Sequence, residues 1–178
     1  IRRQRQMCIR DSTLAGRQGS DTFHITSGTD SVTDLLTGDI FIVSSGATMN
    51  AINVSEFSAT SATSNNGVAN LTAGNSGSTI TLTNAASGAF NLIGGTGVDI
   101  LTGGSGNDTL TGADGVDILD GGVGNDSLNG GNNEDYFKVS SGTDTILDLA
   151  TGDSLGVFSG ATANATNIAH FIASNGTC

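Results

Sequence analysis

Between Gly94 and Lys138 a large apolar residue returns at every ninth position: Leu101, Leu110, Leu119, Leu128 and Phe137. Glycine, aspartate and small polar residues fill most of the space between them. An amphipathic helix would repeat its apolar positions every third or fourth residue, and a half-buried strand every second one, so neither long element fits. What fits is a very short strand whose middle side chain alone points inward, because neighbours on a strand face opposite ways. One apolar side chain per nine residues cannot hold a fold by itself. Such strands must stack coil upon coil and draw the rest of their stability from another source.

The polar positions keep the same period. The stretch reads GGTGVDILT, GGSGNDTLT, GADGVDILD, GGVGNDSLN and GGNNEDYFK without a gap, with aspartate sixth every time: Asp99, Asp108, Asp117, Asp126 and Asp135. Glycines at the first, second and fourth places let the backbone turn sharply and present its carbonyls to one point. Places four to eight alternate between GVDIL and GND(T/S)L through Leu128, so the stronger period is two nonapeptides. Odd and even repeats are then expected on opposite sides of a flattened coil. A flexible linker of the same composition would not hold an apolar residue in strict register.

These residues resemble the RTX repeats, the hemolysin-type calcium-binding nonapeptides of proteins exported by bacterial type I secretion. The resemblance implies an all-β fold, a parallel β-roll or β-solenoid with two nonapeptide repeats per coil, flanked by β capping segments. It also implies Ca²⁺ between each repeat and the one two places later, as a hard cation takes carboxylate and carbonyl oxygens. Carried onto this chain, one site would use Gly94, Thr96 and Asp99 with Ala113, Gly115 and Asp117. A second would use Gly103, Ser105 and Asp108 with Gly122, Gly124 and Asp126. A third would use Gly112, Asp114 and Asp117 with Gly131, Asn133 and Asp135. Only the sixth-place aspartates would be side-chain ligands and the others would offer carbonyls, so Ala113 in place of glycine is expected to cost little. Asn133 tolerates the left-handed conformation that a glycine would otherwise supply.

A longer repeat surrounds the run. Residues 21–63 align with 135–177 at a constant offset, without gaps, and 22 of the 43 pairs are identical. The chain is therefore expected to be about one and a half units of a larger array. Five parts are expected: 1–12, 13–48, 49–93, 94–138 and 139–178. The second is the end of a preceding repeat run plus a β cap, the third an Ala/Ser/Thr/Asn-rich β segment, the fourth the calcium-binding roll, and the fifth a truncated second copy of the β cap. In those caps the register persists through Gly28, Asp30 and Val32, then Asp39 and Phe41, and again through Gly142, Asp144 and Ile146, then Asp153 and Leu155. Their paired glycines are gone, which argues against calcium there. Residues 64–93 alternate as STITLTN and end in a degenerate repeat with Phe90 where aspartate belongs. The first dozen residues, IRRQRQMCIRDS, depart from this composition and lack the apolar core of a signal peptide, so they read as a non-native or disordered segment.

Charge narrows the function. Net charge is −11, and Lys138 is the only lysine or arginine beyond Arg17. So acidic a body repels nucleic acid and anionic membranes and attracts divalent cations. No apolar run approaches the length of a transmembrane helix. Without calcium the stacked carboxylates would repel one another, and the roll is expected to be disordered. No catalytic constellation stands out: His24 and His170 are isolated, Cys8 and Cys178 have no histidine partner in the sequence pattern, and no G-x-S-x-G elbow occurs. A column of seventh-place residues, Ile100, Ile118 and Tyr136, is either a docking surface or plain strand propensity. The expectation is a non-enzymatic, calcium-binding segment of a large secreted or cell-surface bacterial repeat protein, structural or adhesive. Its partners are calcium and neighbouring repeat units or cell-surface components. The rival expectation is the secretion and folding module of an exported hydrolase, such as a serralysin-like protease or a lipase.

Overall fold

The computed structural model describes residues 168 and below, except 1–3 and 8–10, with the backbone alone for 4–7. Every described element is a strand, and every strand pairing is parallel. The strands stack in two faces of one solenoid. One face runs Thr13–Leu14, Gly28–Val32, Ala47–Val54, Val68–Ala73, Asn91–Ile93, Thr109–Asp114, Ser127–Asn132, Ser141–Ile146 and Thr162–Ala165. The opposite face begins with Gln4–Met7, Thr22–Ile25, Ile40–Val43 and Ser64–Asn65. It continues with Glu56–Ser58, Thr79–Thr81, Ile100–Ser105, Ile118–Gly124, Tyr136–Val139 and Ser154–Val157.

Odd repeats supply one face of the roll and even repeats the other. Ile100 pairs with Ile118 and Ile118 with Tyr136; across the coil, Thr109 pairs with Ser127 and Ser127 with Thr145. Leu101, Leu110, Leu119, Leu128 and Phe137 are all fully buried. Their columns continue through Leu92 and Ile146 on one face and Ile80 on the other, so the flanking segments prolong the same stack.

Upstream of the roll the coils are longer and their interior is thicker. Asn50, Asn70 and Asn91 form a hydrogen-bonded ladder whose rungs lie 20 and then 21 residues apart. Phe41, Phe57 and Phe90 meet in the interior, with ring centroids 5.7 Å apart for Phe41–Phe57 and 6.1 Å for Phe41–Phe90. The stretch NAINVSEF, whose residues are compatible with either a helical turn or a strand, lies in two strands, Ala47–Val54 and Glu56–Ser58.

At the amino-terminal end, Gln4–Met7 pairs in parallel with Thr22–Ile25. The amide of Ser12 donates to Asp30 and that of Thr29 to Asp11. Asp11 and Ser12 are thus hydrogen-bonded to the coil of Gly28–Val32. Cys8, Cys178 and His170 lie outside the described residues.

Candidate metal centres

The sixth-place aspartates line up on the two edges of the roll, and all of them are buried. On one edge the amide of Asp99 donates to Oδ1 of Asp117, and that of Asp117 to Oδ1 of Asp135, both at 2.8 Å. On the other, the amide of Phe90 donates to Asp108 at 2.7 Å, Asp108 to Asp126 at 2.8 Å and Asp126 to Asp144 at 3.0 Å. Asp108, Asp117, Asp126, Asp135 and Asp144 thus each spend one oxygen on the backbone of the coil before them. The other oxygen has no hydrogen-bond partner: Oδ2 of Asp108, Asp117, Asp126, Asp135 and Asp144, and Oδ1 of Asp99, whose Oδ2 accepts from the Gly95 amide. A buried anionic oxygen without a partner is costly, so a column of them calls for a cation.

Burial pushes five of these carboxylates, Asp108, Asp117, Asp126, Asp135 and Asp144, towards their neutral form. It raises Asp126 to about 7, and nearby Asp144, Asp108 and Asp120 add to the rise against the opposing Asp108 amide. Burial likewise raises Asp108 and Asp135 to about 6 each, and Asp117 and Asp144 also rise above the ordinary carboxylate range. Lys138 offers no relief inside: it pairs with Asp120 and lies 5.6 Å from the ring centroid of Phe158.

The backbone around the columns is close-packed. A Cβ built on Gly103 would collide with Oδ2 of Asp108 and with the carbonyl of Gly121 on the next coil of the same edge. The same crowding meets Gly94 against Asp99 and Gly112, and Gly112 against Asp117 and Gly130. Within the run, first-place glycines thus leave the aspartate room to fold back beside them. Second- and third-place residues sit in register between coils: Gly104 with Gly122, Ser105 with Val123, Ala113 with Gly131 and Asp114 with Asn132. At the fourth place, Gly115 lies against the Gly97 carbonyl and Gly124 against that of Gly106, and Asn133 takes φ 83°. Thr96 sits apart at the start of the run, its hydroxyl donating to the Asn75 carbonyl at 3.1 Å.

Two readings of the sequence change here. Ala113 adopts φ 82°, a left-handed conformation that costs an L-residue roughly 1–2 kcal/mol, so its substitution for glycine is not cheap. The deciding factor is the backbone angle, which a carbonyl ligand does not relax. Asp144 is the second change. It has the burial and the unpartnered oxygen of the aspartates in the run although it lies in a coil without paired glycines. Its signal was present as Gly142, Asp144 and Ile146 at places four, six and eight.

No three His, Cys, Asp or Glu side chains converge on a metal-sized point among the described residues. Two carboxylates per position and the surrounding carbonyls are what this edge can offer. A parallel β-solenoid with such paired, unneutralised carboxylates defines a class, the calcium-type β-roll. Residues 93–128 and 111–146 match the family model of the RTX calcium-binding nonapeptide repeat (4 copies), so this stretch is a run of RTX calcium-binding repeats. Searches of curated proteins and of solved structures found no match.

Proposed function

We propose that the chain is a calcium-dependent β-roll segment of a secreted or cell-surface repeat protein, serving as scaffold or adhesive spacer rather than as a catalyst. The observation that carries this is the pair of buried aspartate columns, each carboxylate with an oxygen that no protein group satisfies. Calcium would supply that partner between Asp99 and Asp117, Asp108 and Asp126, and Asp117 and Asp135. Carbonyls of Gly94, Thr96, Ala113 and Gly115 would complete the first site, and those of Gly103, Ser105, Gly122 and Gly124 the second. Gly112, Asp114, Gly131 and Asn133 would complete the third. The ion brings its own charge to an interior that, among the described side chains, neither Arg17 nor Lys138 enters.

This makes folding depend on the compartment. Extracellular modules hold calcium with Kd of about 10⁻⁴–10⁻³ M. At about 10 mM calcium each site then adds roughly 1.4–2.7 kcal/mol, and at micromolar levels almost nothing. A chain unfolded inside a cell and folded outside is the state that export through a narrow channel requires. The long repeat supports an array: Asp34 accepts from the amides of Gly16 and Arg17, and Asp148 repeats that contact on Gly130 and Gly131 in the second copy. The described residues include no helix long and apolar enough to cross a membrane. Circular dichroism in EDTA and then in about 10 mM Ca²⁺ tests the proposal. A gain of β signal with calcium is expected, and equal β content in both would overturn it.

A further inference from the structure

A group of side chains that the stack does not need meets on the outer surface of the face carrying Ile100, Ile118 and Tyr136. Among the described residues every aromatic ring is buried except Tyr136 and Phe158, which are 37% and 50% exposed. Both flank Lys138, the only lysine of the chain. Tyr136 stands two residues before it on the same strand, on the same side and roughly 6–7 Å along it. Phe158 lies against its ammonium, 5.6 Å from Nζ to the ring centroid. The first copy of the long repeat has Thr22, His24 and Ser44 at the positions of Tyr136, Lys138 and Phe158. Inward positions keep their kind, Phe23 with Phe137 and Ile25 with Val139, all buried. The outer surface has changed as a group where the interior has not.

Beside Lys138 a groove of about 330 Å³ crosses the coils of Thr102, Asp120 and Lys138. Gly104 and Gly122 line it without side chains, and Thr102, Ser105 and Ser140 bring hydroxyls to it. Asp120 is held from three sides: Oδ2 pairs with Lys138, and Oδ1 accepts from the Ser140 hydroxyl at 3.0 Å and the Gly122 amide at 3.2 Å. A carboxylate has about four lone-pair positions and an ammonium three protons, so an acceptor and a donor remain side by side. Neighbouring hydroxyls of a sugar match that pair, one donating to Asp120 and one accepting from Lys138, while the C–H face of the ring packs on an aromatic side chain. We propose that this groove, with Tyr136 and Phe158 at its side, binds a neutral pyranose sugar. An anionic sugar is disfavoured, because Lys138 already has its counter-charge and the surrounding body is acidic. A peptide strand is disfavoured, because Ile100–Ser105 and Ile118–Gly124 are paired on both sides and offer no free edge. The proposal reaches beyond the scaffold role and rests on the fold, not on the calcium reading.

Saturation-transfer NMR of the full chain in calcium tests this, with the methyl glycosides of glucose, galactose and mannose as probes and glucuronate as their charged counterpart. Transfer to the ring C–H protons of at least one neutral glycoside is expected. Binding should weaken about tenfold in Phe158→Ser and in Asp120→Asn, and stay unchanged in Thr109→Ala on the opposite face. No transfer to any of the three glycosides would overturn the site, as would transfer undiminished in both Phe158→Ser and Asp120→Asn. An equal loss in Thr109→Ala would place the binding elsewhere, and stronger transfer to glucuronate would overturn the neutral class. Circular dichroism checks the fold of each variant separately. Should Asp120→Asn lose β structure, Phe158→Ser decides, because the first copy carries serine at that position, Ser44.

Discussion

The coils between Ile40 and Leu92 and those between Gly94 and Lys138 follow one backbone path with opposite interiors. The upstream coils enclose Phe41, Met49, Phe57, Leu71, Ile80, Leu82, Phe90 and Leu92, all buried. The roll encloses one apolar side chain per nonapeptide and, beside each, an aspartate with a bare oxygen. Apolar burial works in any aqueous compartment, whereas a carboxylate column is stable only once something neutralises it. Under the proposed function, one half of the solenoid persists in any compartment and the other responds to calcium.

The comparison is broken most severely in the upstream core. Phe41→Ala should cost about 3–5 kcal/mol, because it removes a ring packed against two others, and the loss should be the same with or without calcium. Denaturant unfolding in both conditions measures it. Asp117→Asn should behave differently, since the change spans two proposed sites. In calcium it should lose two ions and roughly 1.4–2.7 kcal/mol for each. In EDTA it should stabilise the roll, because a buried charge is gone while Oδ1 still accepts from the Asp99 amide. Asp108→Asn, confined to one site, should lose a single ion.

Proton linkage sharpens the same contrast. The folded carboxylates of Asp108, Asp126 and Asp135 lie above the ordinary value of 3.8, at about 6, about 7 and about 6. The folded roll therefore binds protons more tightly than the unfolded chain. Without metal, this contribution to stability is complete below the ordinary value and is lost as pH rises through 6 to 7. With metal the sign reverses, because calcium must displace those protons. Calcium affinity should weaken as pH falls from 7 to 5, and binding at pH 6 should release protons, seen as a buffer-dependent heat. The smallest effect is expected at the strained turn. Ala113→Gly removes a left-handed penalty of roughly 1–2 kcal/mol and adds roughly 0.4–1 kcal/mol of unfolded-state entropy, a net gain of roughly 0–1.6 kcal/mol. A small rise in melting temperature in calcium would record it.

What could be read from the residues follows from the same contrast. In the roll, Leu101 to Phe137 and Asp99 to Asp135 keep a strict period, and a period that sparse admits only a stack of short strands. The two-repeat alternation then placed odd and even repeats on separate faces, as Ile100–Ile118 and Thr109–Ser127 pair. Upstream, rungs lie 20 and 21 residues apart instead of 18, so no fixed period survives although the topology does. The fate of a second carboxylate oxygen could not be read at all. Asp144 and Asp153 both follow the pattern of the run, and only the turn that brings the Ala150 amide to Asp153 separates them. Nor does composition reveal a backbone angle, which is why Ala113 looked harmless.

Hydrogen exchange resolved along the chain, in EDTA and in about 10 mM Ca²⁺, tests the central claim most directly. The amides of Asp99, Asp108, Asp117 and Asp126, which donate to the carboxylates of the next coil, should exchange freely in EDTA and be protected in calcium. Those of Val43, Ala51 and Leu71 in the apolar coils should be protected in both. Equal protection of the roll in both conditions would contradict the account.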